Sequence, residues 1–446
     1  MAHDPTPKDS NVSTSQAEPV SPLSVHDNSI SEKGSEILLA KDDDLSIPDG
    51  GYGWVVLAGC TVVAWWSIGT AQSFGVLQAA LLEAEVSSST NLLFVGSMSA
   101  GIVSAFAILY ARFMRSMGTR RTAMLGILLM SLSGAISSVV YKNIGALFAA
   151  YGVLMGLGMG FTFTTVAVAP TQYFLRRRGL ANGIVLAGGG AGGAIVNIAL
   201  NAIIERLGIA WAFRIHCLLV AGTGFPAAYA IKERVPYKKS GLVDWTLFRS
   251  PTFLLLFAAG VLSTFPVLVP PYCMPLFASS IGLDSSTGAG LAAAFNAASA
   301  VGRIGAGFLS DRLGALNILF SSMALLGTSM FVIWPFASSL GVTVVFVIVG
   351  GMAVGGFFAT IPTVVGHIFG SANTSITFGM LLTGWTFGYV MGSPVAGFIL
   401  EANGGSGHGL GPYRPAMFYG GSLAFGSAVL IAIVRFRRER DLLAKS

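Results

Sequence analysis

The chain alternates twelve long apolar stretches with short polar connections. Their approximate limits are 53–80, 92–111, 121–140, 145–172, 179–204, 209–231, 251–279, 287–310, 315–336, 340–368, 375–400 and 415–435. A helix needs about 20 apolar residues to cross a bilayer. In lipid, only helices and closed barrels satisfy every backbone N–H and C=O. The pattern therefore predicts an all-α membrane protein with twelve transmembrane helices. The first stretch is too long for a cleaved leader and follows an acidic tail instead of a short basic one.

The polar positions orient and divide these helices. Lysines and arginines gather in alternate connections and the C-terminal tail, eighteen against only Lys142, Arg206 and Arg414 in the others. Basic connections stay on the cytoplasmic side, so both termini are expected there. The longest internal polar connection, 232–250, separates six helices from six. The expected organisation is a disordered acidic tail (1–48), a six-helix bundle (49–231), a cytoplasmic linker (232–250), a second bundle (251–436) and a short tail (437–446). A shift of 196 positions places Gly183, Leu186, Gly188 and Gly192 on Gly379, Leu382, Gly384 and Gly388, and Gly118 on Gly314. Two pseudo-symmetric bundles follow, a plan that puts a carrier's site at the midplane between repeats.

Composition narrows the function. Charged residues are 10% of the chain and hydrophobic ones 53%, with a mean hydropathy of +0.72. A soluble domain carries about 25% charged residues, so lipid must cover much of this one. The net charge of +6 hides an acidic tail on a basic body, and the basic connections read as topology signals, not a nucleic-acid site. Cys60, Cys217 and Cys273 lie in apolar stretches and read as packing residues. His216 and His367 have no partner at metal-ligand spacing, so no metal is expected. No phosphate-cradling loop ending in Gly-Lys-Ser/Thr occurs, which argues against ATP-driven pumping. The glycine run 188–193 lies within a helix and is no dinucleotide fingerprint. No cofactor and no enzymatic activity are expected. The expected setting is the plasma membrane, with the chain as a monomer.

Carboxylates outside the tail fall at loops or helix ends, which argues against a carboxylate proton relay. Two arginines stand in apolar stretches. Arg214 is close enough to its helix end to snorkel. Arg303 lies about two turns from the inner end of the eighth helix, where charge is costly and marks function by default. A guanidinium there can hold a carboxylate through two parallel hydrogen bonds; pairing with backbone carbonyls or with Asp311 is the alternative. Asn296 shares its face, seven residues earlier. Tyr272, Phe357 and Trp385, with Phe265 and Phe358, are candidates to line an apolar cavity or to pack the core. Pro266, Pro270 and Pro271 are expected to break helix 7, and Pro362 and Pro394 to interrupt helices 10 and 11. Gly152, Gly156 and Gly160 predict close packing of helix 4.

Three motifs carry a family resemblance. G-F-L-S-D-R-L-G, 307–314, resembles the loop signature of the major facilitator superfamily. It implies that Gly307, Asp311, Arg312 and Gly314 form a conformational latch. The first-half copy, A-R-F-M-R-S-M-G, has Arg115 in place of the acid. P-D-G-G-Y-G-W, 48–54, with Asp49, Gly50, Gly51, Gly53 and Trp54, resembles the monocarboxylate transporter family of that superfamily. So does Y-F-L-R-R-R-G-L-A-N-G-I-V-L-A-G-G-G-A-G-G, from Tyr173 and Phe174 through Arg177 and Arg178 to Gly193. The resemblance covers 48 to about 436, and the long tail and short central linker look most like fungal members. It implies that Arg303 is the substrate-binding arginine. Animal lactate carriers of the family have a proton-coupling aspartate where Ser299 stands, and a coupling lysine where Gln72 stands. The expected function is secondary transport of small organic anions or amphipathic metabolites by rocking of two bundles. Efflux of a secondary metabolite is favoured over uptake of a mono- or dicarboxylate, and a non-transporting sensor is the remaining alternative.

Overall fold

A computed structural model describes residues 50–174, 178–234, 245–369, 374–407 and 409–438, with side chains for all but 171, 178, 179, 311 and 374–376. The N-terminal tail, Asp49, Arg177, most of the central linker, the last eight residues and the side chains of Arg178 and Asp311 lie outside the described part. All of the described residues belong to one unit that begins at Pro48.

Twelve helical segments follow one another at the expected places. They are α1 (Gly53–Glu83), α2 (Ser89–Ala105 and Ala107–Met117), α3 (Thr119–Val140), α4 (Ile144–Val168), α5 (Arg178–Leu207) and α6 (Ile209–Ala230). The second six are α7 (Pro251–Ser280), α8 (Ser285–Leu313), α9 (Ala315–Phe336), α10 (Leu340–Phe369), α11 (Thr374–Ala402) and α12 (Tyr413–Arg438). Nine are long and apolar enough to cross a membrane, and the bent α2 makes ten. α8 and α11 are less apolar, α8 because Asn296 and Arg303 sit mid-helix. Local chemistry sets the ends. Ser88, Asn143 and Ser250 cap α2, α4 and α7 by accepting from backbone N–H groups three residues on. Gly118 (φ +84°) and Gly314 (φ +91°) turn the chain from α2 to α3 and from α8 to α9 in a conformation that other residues rarely adopt.

The breaks differ in part from expectation. α7 does break, at Leu268 between Pro266 and Pro270. Pro362 and Pro394, expected to interrupt their helices, lie inside unbroken α10 and α11. The freed carbonyls of a transmembrane proline can be satisfied locally, so the helix continues. Two breaks have no proline. α1 breaks at Ser73, whose hydroxyl donates to Gly69 O at 2.7 Å, and such back-bonding bends helices. α2 bends by 57° at Phe106, where Tyr110 Oη donates to Ile102 O at 3.1 Å and intrudes on the helix ladder.

The packing repeats with a period of six helices. α1 packs on α5 and α6, α3 on α4 and α6, and α2 on α4. α7 packs on α11 and α12, α9 on α10 and α12, and α8 on α10 in the same way. Gly188 and Gly192 lie against Thr61 and Trp65 of α1, and Gly384 and Gly388 against Phe257 and Thr264 of α7. The sequence repeat is thus a repeat of close contacts. α5 packs on α8 and α2 on α11, and these two seams join the halves.

One face of the bundle carries the described chain ends, and links between the halves gather toward the opposite, far face. There Tyr272 Oη donates to Gly96 O (3.4 Å), Thr90 N–H to Glu401 Oε1 (3.1 Å) and Ser285 Oγ to Asn201 Oδ1 (2.9 Å). Toward the near face, a Cβ added at Gly183, Gly305, Gly307 or Gly379 would meet nothing within 4 Å.

Candidate substrate site

α8 presents Asn296, Ser299 and Arg303 as a buried polar stripe, each at most 2% exposed. Positions three and seven residues apart share a helix face, and the stripe spans about 10 Å at 1.5 Å per residue. The neighbouring α5 shows how so polar a helix packs. Its Gly190 lies against Ala300 and its Gly193 against Asn296. A side chain at Gly190 would push against α8, and one at Gly193 would displace the Asn296 amide.

Arg303 donates from Nη1 to the carbonyl of Leu186 on α5, across the seam between halves. Its guanidinium carbon lies 5.2 Å from the centre of the Phe358 ring, a cation–π contact. Its Nε is buried and has no hydrogen-bond partner. Among the described residues no carboxylate pairs with it. Phe358 opens an aromatic wall: Phe357 and Trp385 stand 5.3 Å apart, and Phe378 and Tyr389 pack on Trp385. Trp385 Nε1 is also buried and unpaired. The predicted Phe357 and Trp385 therefore lie beside Arg303 through Phe358.

Gln72 and Asn296 meet one level further toward the far face. Asn296 Nδ2 lies 3.5 Å from Gln72 O, and a Cβ on Gly193 would stand 3.0 Å from Asn296 Nδ2 and 3.2 Å from Gln72 Oε1. Asn197 Nδ2 donates to Gly193 O at 2.8 Å, and Ser73 Oγ lies 3.3 Å from the same oxygen. Sequence reading missed Gly193, Asn197 and Ser73. Asn197 carried a signal, an amide in the middle of an apolar helix. Gly193 carried none apart from its motif. Tyr272 packs on Phe74 (5.6 Å) and donates to Gly96 O, with Tyr389 of the aromatic wall near it.

The remaining motif residues occupy the near face. Gly314 ends α8 with its N–H on Ser310 O at 3.0 Å, and Arg312 lies over Phe308 at 4.3 Å. The two family motifs, far apart in sequence, touch. A Cβ on Gly53 would stand 2.9 Å from Tyr173 Cβ, and Trp54 packs edge-on against Phe174 at 5.1 Å. Gly50 O accepts from Gly53 N–H, and Gly51 takes φ +60°. Tyr52 Oη and Tyr173 Oη reach Ala230 O (2.9 Å) and Lys232 O (3.0 Å). The motifs thus tie the starts of α1 and α5 to the end of α6. A cavity of about 370 Å³ lies apart from Arg303, between α1, α5 and α6, lined by Trp65, Trp66, Ile195, His216 and Leu219 among others.

The pattern of the Major Facilitator Superfamily matches residues 55–304 and 273–446. Among curated proteins, the MFS transporter asaE of Aspergillus flavus is 26% identical over 87% of this chain and 88% of its own length. The aspyridones efflux protein apdF of Emericella nidulans is 26% identical over 86% of this chain and 79% of its own. Among solved structures, the nucleoside transporter NupG superposes with a TM-score of 0.68 at 13% identity, over 85% of this chain and 99% of that one.

Proposed function

The chain belongs to the major facilitator superfamily, and from that premise we propose an exporter of anionic secondary metabolites, of the monocarboxylate-porter type. It is a multi-pass membrane carrier, and its substrate is a small molecule. The observation that carries the anion is Arg303: a buried guanidinium mid-helix at the seam, bonded to a backbone carbonyl, with Nε unspent. A charge this costly to bury answers to an anion that arrives and leaves. The aromatic wall of Phe357, Phe358 and Trp385 offers the apolar body of such a substrate a surface.

The proposed cycle follows the helix contacts. Both termini face the cytoplasm and the membrane is the plasma membrane. The far face is then extracellular and held shut by the contacts of Tyr272, Thr90 and Ser285 with the other half, and the opening lies on the cytoplasmic side. An exporter loads from that side. Gln72 and Ser299, in place of the lysine and aspartate of lactate–proton carriers, favour export over proton-coupled uptake. The name of apdF, an efflux protein for aspyridones, supports the same direction. The carrier works as a monomer, with the latch around Gly307–Gly314 controlling the cytoplasmic opening.

The test compares metabolites inside and outside cells after deletion of the gene. Export predicts intracellular accumulation of an organic acid, and an Arg303→Ala variant that still reaches the membrane reproduces it. Depletion of an external acid that stops on deletion would point to uptake instead. Undiminished transport by the variant would remove Arg303 from the site.

A further inference from the structure

The polar cluster around Gly193 leaves three amide oxygens without a partner. Asn197 spends Nδ2 on Gly193 O and Asn296 directs Nδ2 at Gln72 O. These bonds fix the orientation of both amides, because a flipped amide would set oxygen against oxygen. Asn197 Oδ1 and Asn296 Oδ1 are left buried without a partner, and Gln72 Oε1 beside them is in the same condition. The Ser73 hydroxyl is already engaged with Gly69 O and Gly193 O. Three amide side chains, from α1, α5 and α8, thus meet around one glycine, each at most 6% exposed and each with its oxygen unmet. Buried polar atoms are normally satisfied, and leaving one unmet costs about 1–3 kcal/mol.

We propose that Gln72, Asn197 and Asn296 form a subsite for hydrogen-bond donors, so that the transported anion carries hydroxyl or N–H groups about 10 Å from its acidic group. The inference rests on the reading of Arg303 as the anion-binding residue and sets what stands at the other end of the ligand. The stripe on α8 fixes the length, with Asn296 at one end and Arg303 at the other. The link from Asn296 to Gln72 O, at 3.5 Å, is the long one in the cluster. It crosses between the halves, so it opens when α8 moves against α1, and a ligand donor enters there. The substrate class is a hydroxylated or amide-bearing aromatic acid. A bare short-chain monocarboxylate spends nothing on these oxygens.

The test uses the full chain in detergent and two probes, 4′-hydroxybiphenyl-4-carboxylate and its 4′-methoxy ether. In the first, phenol and carboxylate stand about as far apart as the stripe requires; the second keeps the acid and lacks the donor. Calorimetry should give a dissociation constant at least tenfold lower for the phenol, because a site built around a donor rejects the analogue without it. Asn197→Leu and Asn296→Leu should bring the ratio toward one. Arg303→Gln should weaken both probes and leave the ratio. Equal binding of the two probes to the wild type means that water meets these oxygens, and overturns the donor subsite while the anion reading stands. A ratio unchanged in both leucine variants overturns it too. Binding of neither probe overturns both readings.

Discussion

The two seams between the halves share one geometry and differ in chemistry. The 196-residue shift places Asn296, Ser299 and Arg303 of α8 on Ala100, Val103 and Ala107 of α2. Asn197 of α5 falls on Ser393 of α11, and Gln72, beside the break in α1, falls on Leu268, the break in α7. Across the α5–α8 seam Arg303 donates to Leu186 O, and beside it Asn296 of α8 reaches Gln72 O of α1. The α2–α11 seam joins at mid-helix through Gly101 against Val390 and Phe94 against Phe398. A carrier needs both seams to slide, yet only one to recognise its ligand. Among the described residues the α2–α11 seam buries only single hydroxyls, such as Ser97 Oγ and Ser393 Oγ, and these cost less to slide than a charge or an amide would away from water. On the function proposed here, the polar seam has a ligand to meet its polar groups.

The strongest way to break that contrast is to make the polar seam apolar. Arg303→Leu should lower transport by about 10- to 100-fold, since hydrogen bonds to charged groups are worth about 1.5–3 kcal/mol. The matched change at the counterpart, Ala107→Ser, should leave transport within about twofold, because the hydroxyl can bond to the preceding turn of its own helix. Radiolabelled-anion flux, normalised to protein at the cell surface, reads both. Equal losses would mean that the seams are not specialised.

The glycines test whether the two halves are equivalent in packing. A Cβ on Gly192 would stand 2.5 Å from Trp65 O, and one on Gly388 would collide with Thr264. Gly192→Val and Gly388→Val should each cost about 1–3 kcal/mol of stability, as overpacking does. Gly183→Ala and Gly379→Ala, with open space around them, should be silent. Thermal unfolding followed by fluorescence-detected gel filtration separates the four. If only one of the valine variants loses stability, the repeat is one of sequence and not of packing.

The twelve helices were legible because each is a long, mostly apolar run between polar connections, and the period of six because matched glycines sit at matched contacts. Arg303 was legible as a charge in an apolar stretch. The breaks were read by proline alone, and that rule served α7 but failed at Pro362 and Pro394. It missed Ser73 and Phe106, where a side-chain hydroxyl competes for a backbone carbonyl. The cluster around Gly193 was half legible. Asn296 and Gln72 were named, but their convergence with Asn197 on a glycine depends on how three helices pack, which no single helix pattern encodes. Tyr272 was grouped with Phe357 and Trp385 by residue type; the fold sets its hydroxyl on Gly96 O, with Tyr389, which packs on Trp385, near it.

The smallest expected effect lies where the apolar seam turns polar, at its far end. Glu401 Oε1 accepts from Thr90 N–H at the start of α2, so a carboxylate of one half caps a helix of the other. An anion at a helix N-terminus is favoured by the helix dipole, and the contact must break for the far face to open. Its loss should shift the carrier toward the state open on that face, by about two- to fivefold for a dipole contact of ordinary strength. Cys273 is a native reporter: it is 7% exposed, in α7 near these contacts, and a buried thiol reacts only when uncovered. With Cys60 and Cys217 replaced by alanine, an impermeant maleimide should label Cys273 about two- to fivefold faster in Glu401→Ala than in the parent. Glu401→Gln, which keeps an acceptor oxygen without its charge, should fall between. Equal labelling in all three would mean that the apolar contacts hold the far face shut unaided, leaving the α5–α8 seam as the one place where polar groups govern the cycle.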